Sequence, residues 1–165
     1  MTAQPQVLSL KYSRDTLIAA TIASTAAFTC FVADLPPWAM FVGWVAFFTQ
    51  PASLSKAVTS GVCVALGILM GMVAGTLNTI LLPVVGNIAF AAIVFSVAFI
   101  VVSLRGMPII GNIIAWFLGL ITFFAAHPDN LVTGVISLIA VTSLGTFAGY
   151  CCFYLQSLTR KNDSD

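Results

Sequence analysis

The feature that most constrains this chain is the scarcity of charged residues along an otherwise apolar sequence. Of its 165 residues, 60% are hydrophobic and 7% are charged, whereas about a quarter of the residues in an average soluble domain are charged. A water-soluble protein of this length needs more polar surface than these residues can supply. We therefore predict an integral membrane protein of the all-α class, with lipid in contact with most of its surface.

Six apolar segments follow one another along the chain, and helix-breaking residues separate them. Proline and glycine end helices because proline lacks a backbone donor and glycine frees the backbone. The breaks fall at Pro36 and Pro37, at Pro51, at Pro83, at Gly106 and at Pro128. The predicted spans are 16–33, 38–50, 53–77, 84–104, 108–126 and 131–155.

The second segment is short for a membrane span. As a helix, 38–50 measures roughly 20 Å, which is less than the ~30 Å hydrocarbon core of a bilayer. Two interpretations remain open at this stage. The helix continues beyond Pro51 with a kink, or it is a short helix whose end faces a cavity.

Basic residues predict the orientation of the chain. With six spans, every Lys and Arg falls on one side of the membrane, whereas Asp34, His127 and Asp129 fall on the other. The positive-inside rule then places both termini in the cytoplasm, with 1–14 and 158–165 as cytoplasmic tails. The basic residues are Lys11, Arg14, Lys56, Arg105, Arg160 and Lys161.

Two ten-residue segments, 39–48 and 115–124, indicate an internal duplication. Five of their ten aligned positions are identical: Ala, Phe, Gly, Phe and Phe. A proline follows each segment, and a helix with glycine at every fourth position comes next. We predict one repeat over about 16–80 and a second over about 84–155, within a single transmembrane domain. The glycine seams are Gly67, Gly71 and Gly75 in the first repeat and Gly145 and Gly149 in the second.

Three spans in each repeat make the two copies antiparallel in the membrane. Inverted repeats of this kind recur in transport proteins, whose functional site lies between the repeats near the membrane midplane. Glycine at every fourth position gives a flat helix face that another helix can approach closely. The sequence leaves open whether each seam meets the other repeat or a neighbouring subunit.

Eight residues are candidates for a pathway or gate. Aromatic pairs at equivalent places in the two repeats could form an apolar constriction that excludes water, although packing on lipid or neighbouring helices is the alternative. Neutral amides are costly to bury in lipid and are therefore candidates for the lining of a pathway. The candidates are Phe47, Phe48, Phe123 and Phe124, the amides Gln50, Asn87 and Asn112, and His127 at a span end.

Other functional classes lack support in the sequence. No nucleophile, base and oxyanion set is apparent, and no phosphate-binding loop occurs, so we expect neither an enzyme nor a bound cofactor. The four cysteines have no spacing typical of a metal site. A net charge of +1 gives no basic surface for nucleic acid.

The segment 43–51, Gly-Trp-Val-Ala-Phe-Phe-Thr-Gln-Pro, followed by Lys56 and a glycine-rich helix, resembles proteins of the domain of unknown function 1097 family. The resemblance covers most of the chain and implies a small bacterial inner-membrane protein. It implies no catalytic residues.

These observations lead to one expected function and two alternatives. We expect a small channel or facilitator that passes a small polar or weakly charged solute between the repeats. Because a three-helix repeat is small, we also expect a homo-oligomer, with a trimer favoured, surrounded by membrane lipid. The alternatives are an ion-coupled secondary transporter and a membrane subunit or assembly scaffold that transports nothing.

Overall fold

A computed structural model describes residues 10–162, which form α-helices and no strands. The all-helical class predicted from the sequence is therefore confirmed for this part of the chain. The parts of the predicted tails at 1–9 and 163–165 lie outside the described residues. The helices are α1 (Leu10–Val32), α2 (Pro37–Phe48), α3 (Leu54–Val85), α4 (Ile88–Ser103), α5 (Ile113–Ala126) and α6 (Leu131–Asn162), and a single 3-10 turn (Leu104–Gly106) follows α4.

The helices fall into two classes by length. Helices α1, α3 and α6, together with α4 and its 3-10 turn, are long and apolar enough to cross a membrane. Helices α2 and α5 have 12 and 14 residues, which correspond to about 18 and 21 Å. Each short helix carries one of the two similar ten-residue segments, 39–48 and 115–124.

Helix α2 ends before Pro51, so the second predicted span is a short helix and not a kinked long one. The Thr49 backbone N–H and its hydroxyl both bond to the Ala46 carbonyl oxygen, the hydroxyl at 2.7 Å. This local cap closes the last turn. Pro51 then lies in the connection to α3, where its missing N–H leaves no helical bond unmade.

Two predicted breaks require correction. Helix α3 continues through Pro83 to Val85, so this proline removes one backbone donor without ending the helix. The actual end is Gly86, whose positive φ of +63° is a backbone conformation that glycine adopts without strain. Helix α5 begins at Ile113 and not at position 108, since Asn112 supplies its N-terminal cap.

The outermost helices are longer than the sequence predicts. Helix α1 begins at Leu10 instead of position 16, and α6 continues to Asn162, beyond the predicted end at 155. Their ends are joined, because the Arg160 guanidinium pairs with the Asp15 carboxylate at 2.7 Å. The Gln156 side-chain amide also donates to the Asp15 backbone carbonyl at 2.9 Å. Parts of both predicted tails are therefore helical.

Four helices form the centre of the bundle. The most extensive contacts join α3 to α5 and α2 to α6, and α3 also packs on α6. Helix α1 covers α6 from one side, while α4 covers α3 from the other. Each half of the chain therefore contributes one short and one long helix to the centre and one helix to the periphery.

The two short helices run parallel to the long helices that they contact. Along α2, Gly43 faces Thr142 and Phe47 faces Gly149, so both helices advance in the same direction. Along α5, Gly119 faces Val64 and Phe123 faces Gly71. Short connections reverse the chain between consecutive helices. Three such reversals separate α2 from α5, so these two helices are antiparallel to each other.

The contacts of α2 with α6 correspond residue by residue to those of α5 with α3. Each α5 residue lies 76 positions after its α2 counterpart, and each α6 residue lies 78 positions after its α3 counterpart. The first set is Met40 with Gly145, Gly43 with Thr142 and Phe47 with Gly149; the second is Trp116 with Gly67, Gly119 with Val64 and Phe123 with Gly71.

Candidate functional site

The glycine seams make contacts within one chain, where each packs against the short helix of the opposite half. At Gly67, an added Cβ would overlap with the carbonyl oxygen of Trp116, and at Gly145 it would overlap with that of Met40. These positions require glycine because the two backbones touch there. Gly75 is less crowded, and its Cβ position lies 3.3 Å from the Phe123 ring.

The four phenylalanine candidates divide into two buried and two exposed rings. Phe47 and Phe123 are buried against Gly149 and Gly71. Phe48 and Phe124 are 48% and 45% exposed. Each buried ring contacts its exposed neighbour edge-on, with centroids 4.9 Å apart in the first pair and 5.4 Å apart in the second. The structure therefore places one ring of each pair in the core and the other at the surface.

Asn112 organises a polar cluster at the end of the bundle where α2 ends and α5 begins, which we call the Asn112 end. Its amide nitrogen donates to the Thr49 hydroxyl at 2.8 Å and to the Ser60 hydroxyl at 3.1 Å. Its amide oxygen accepts from the Ala115 backbone N–H at 3.2 Å and so caps α5. One buried side chain therefore joins α2, α3 and α5.

Replacing Asn112 with alanine is expected to destabilise the fold by about 2 kcal/mol. Loss of an N-cap costs about 1 kcal/mol, and hydrogen bonds between membrane helices average about 0.6 kcal/mol each. Asn112→Ser is expected to lose about half as much, because serine can still cap α5. Thermal unfolding of both variants in detergent measures this difference. Equal losses in the two variants would contradict the interhelical role.

This polar cluster has no counterpart at the other end of the bundle. The positions equivalent to Asn112 and Ser60 are Pro36 and Leu138, which are apolar. Close to the cluster in sequence, the amide oxygen of Gln50 is buried and has no hydrogen-bond donor among the described residues. An unpaired buried carbonyl is costly in lipid, so Gln50 is an available acceptor for a bound molecule.

A recess of about 320 Å³ with mixed polar and apolar walls lies at the opposite end, which we call the His127 end. His127 ends α5 in the left-handed conformation, with φ of +43°, and its side chain is exposed. Asn87, in contrast, is exposed in the connection after α3 and does not line this recess. The lining residues are Gly75, Thr76, Thr79, Phe123, Phe124, His127, Pro128 and Leu131.

The structure thus separates the eight sequence candidates. Gln50 and Asn112 belong to the Asn112 end, and His127 with Phe123 and Phe124 belongs to the recess. Phe47, Phe48 and Asn87 belong to neither group. The candidate set omitted Thr76 and Thr79, although their spacing of three residues puts them on one face of α3. Within residues 10–162, no three His, Cys, Asp or Glu side chains are grouped so that they could hold a metal ion.

These features define the class of protein. Four helices of membrane-spanning length and composition pack with two short apolar helices, and large apolar side chains cover the outside of the bundle. The chain is a polytopic α-helical membrane protein.

The particular family follows from the sequence comparison. The model of the family described as "Protein of unknown function (DUF1097)" matches residues 16–156, and the chain belongs to that family. This match confirms the resemblance seen in the sequence. No match was found among curated proteins or among solved structures.

Proposed function

We propose that this protein is a small membrane channel or facilitator for a small polar or weakly charged solute. The observation that carries the proposal is the pair of short helices held between longer ones, with polar groups at both ends of the pair. Helices of about 18 and 21 Å cannot cross a ~30 Å hydrocarbon core alone. Water can therefore enter from each side and shorten the distance a solute must cross between polar surroundings.

The proposed architecture is two inverted three-helix repeats with both termini in the cytoplasm of a bacterial inner membrane. The matched contacts of α2 with α6 and of α5 with α3 support the repeat, because a chance sequence match would not reproduce the packing. The parallel directions within each pair support strict alternation of six helices. The basic residues support the cytoplasmic termini, and the Asn112 end is then the cytoplasmic end.

The gate in this proposal is the packed layer between the Asn112 end and the recess. Met40, Phe47 and Ile68 are fully buried between these two ends, and Met40 and Ile68 belong to one hydrophobic cluster of the core. Passage of a solute requires these side chains to move apart, and the neutral groups at each end replace part of the solute's hydration. We expect such protomers to form a homo-oligomer, with a trimer favoured, that is surrounded by membrane lipid.

Solute flux into proteoliposomes tests the proposal. We expect reconstituted protein to accelerate the entry of at least one small solute from a panel of water, urea, glycerol, ammonia and monovalent ions, relative to protein-free vesicles. Met40→Trp should block this flux by enlarging a side chain in the proposed gate. A surface change of the same type, Ile136→Trp, is the matched control because Ile136 is 62% exposed. No acceleration for any solute would refute the channel.

The same assay separates the two alternatives. Flux that requires a proton or sodium gradient and falls when Asp34 or Asp129 is replaced indicates a coupled transporter. A silent protein that copurifies with a fixed partner indicates a subunit or scaffold. Catalysis is not part of this proposal.

A further inference from the structure

An apolar groove runs along the side of the bundle between α3, α4 and α5. It holds about 480 Å³, within the range of ~300–1,000 Å³ typical of ligand sites. The groove exists because α4 contacts α5 only slightly, although both pack on α3. Its lining residues are Ala74, Gly75, Asn78, Phe90, Ile93, Val94, Val97, Ala98, Phe117, Leu120 and Phe124.

Asn78 is the polar side chain among these lining residues. Its amide oxygen is buried and has no hydrogen-bond donor among the described residues. An unpaired carbonyl in an apolar environment costs several kcal/mol. A ligand that supplies a hydrogen-bond donor removes this cost. Apolar walls with one polar group that fixes orientation are the usual plan of a small-molecule site.

Asn78 lies at the depth where a lipid headgroup begins. Gly67, where α3 packs closely on Gly119, lies near the middle of the 32-residue helix α3. Asn78 is eleven residues beyond Gly67 on α3, which is about 16 Å along the helix axis. This distance is close to half of the ~30 Å hydrocarbon core. The rest of the groove, towards Phe117 and Ala98, is then at acyl-chain depth.

We propose that this groove is a specific site for a membrane glycerolipid whose headgroup carries a hydrogen-bond donor. One acyl chain lies between α3, α4 and α5, and the headgroup donates to the Asn78 amide oxygen. Phe124 lines both this groove and the recess at the His127 end, so its ring separates the lipid site from the recess. The site does not depend on the proposed transport activity.

A second groove on the other side of α4 provides an internal comparison. It is of similar size, about 530 Å³, and is lined by α3 and α4. Its Ser96 hydroxyl donates to the Ala92 carbonyl of the same helix at 2.8 Å, and no unpaired buried side-chain oxygen lines it. Ordinary annular lipid would occupy both grooves alike, whereas a headgroup-specific site requires the groove with Asn78.

Two lipids that differ in donor capacity test the proposal. Phosphatidylethanolamine has ammonium N–H donors, and phosphatidylcholine has a quaternary ammonium without them. The full-length protein is reconstituted in vesicles with equal amounts of the two lipids and the same acyl chains. It is then extracted in mild detergent, and native mass spectrometry counts the lipids that remain bound.

We expect wild-type protein to retain phosphatidylethanolamine at least threefold over phosphatidylcholine. Asn78→Leu should reduce this ratio to about one, because leucine keeps the volume but removes the acceptor. Ala98→Phe should remove the retained lipid by filling the groove. Ala92→Phe, on the same helix but in the second groove, should leave the ratio unchanged.

Two results would overturn the proposal. One is a wild-type ratio equal to that of the vesicles, and the other is an enrichment that persists in folded Asn78→Leu protein. Gel filtration and circular dichroism of each variant establish that it is folded. Asn78→Leu preserves the side-chain size, so it tests the acceptor even where Ala98→Phe fails to fold.

Discussion

Replacing Gly119 with alanine is expected to destabilise the protein by about 2 kcal/mol or more, although alanine normally favours a helix over glycine by about 1 kcal/mol. The added methyl group would overlap with the Val64 carbonyl oxygen on α3. Backbone atoms cannot rotate out of the way as a side chain can, so α5 must move away from α3. Overpacking of this kind costs about 1–3 kcal/mol, and the lost close contact adds to it.

Thermal unfolding in detergent, followed by fluorescence-detected gel filtration, measures this effect. Gly106→Ala is the matched control, because a Cβ at Gly106 meets no atom within 4 Å. The equivalent change in the first half, Gly43→Ala, should cost about as much, since its Cβ would overlap with the Thr142 carbonyl. A midpoint for Gly119→Ala as high as that of Gly106→Ala would show that the two helices are not packed as described.

Truncating Phe47 to alanine is expected to cost about 3 kcal/mol, the low end of the range for Phe→Ala in a packed core. Phe47 is fully buried and packs against Gly149 on α6. Its removal leaves a cavity between Gly149, which has no side chain to fill the space, and the rings of Tyr150 and Phe153. We expect a cost at the low end of this range because lipid solvates apolar groups well. The free energy lost on truncation therefore comes mainly from packing.

The neighbouring ring supplies the control for this prediction. Phe48 is 48% exposed, and Phe48→Ala is expected to change stability by less than about 1 kcal/mol. The same contrast should recur in the second half, between Phe123→Ala and Phe124→Ala. Chemical denaturation in mixed micelles can compare all four variants. Equal losses at Phe47 and Phe48 would contradict the division into core and surface rings.

These predictions concern the feature on which the proposed function rests. The short helices α2 and α5 stay in place because glycine lets each of them contact a long helix along its backbone. If that contact loosens, the polar groups at the two ends lose their spacing. Stability and flux should therefore fall together in the glycine variants. Met40→Trp enlarges a fully buried side chain and should itself cost about 1–3 kcal/mol, so its flux is compared per amount of folded protein.

The sequence predicts much of this architecture for identifiable reasons. Charged residues are confined to segment ends because lipid excludes them from the interior, so the number of helices can be read directly. The two similar segments and their glycines are visible because close backbone contact tolerates no other residue. Pro83 misleads the same reasoning, since a proline inside a membrane helix removes one donor without always ending the helix.

The site is less predictable from the sequence. Asn112 can be recognised as a costly amide, but its partners Thr49 and Ser60 resemble the many hydroxyl residues that bond to their own helix. Thr76 and Thr79 can be recognised as candidates only once the structure shows that they line the recess beside His127. Asn87 precedes α4 at the same N-cap position that Asn112 has before α5, yet its side chain caps no backbone N–H and is exposed, because α4 lies at the periphery of the bundle.

The sequence alone determines the lipid environment, the helices and the family of this protein. Hydrophobicity and helix-breaking residues act locally along the chain and can therefore be read without the tertiary structure. The tertiary structure decides which face of each helix is covered. It places the glycine seams against the opposite half of the same chain, buries Phe47 while exposing Phe48, and leaves Asn78 without a donor. The physical reason is that these helices are apolar around their whole circumference, so hydrophobicity does not distinguish the contact face. Close packing between backbones determines that face instead.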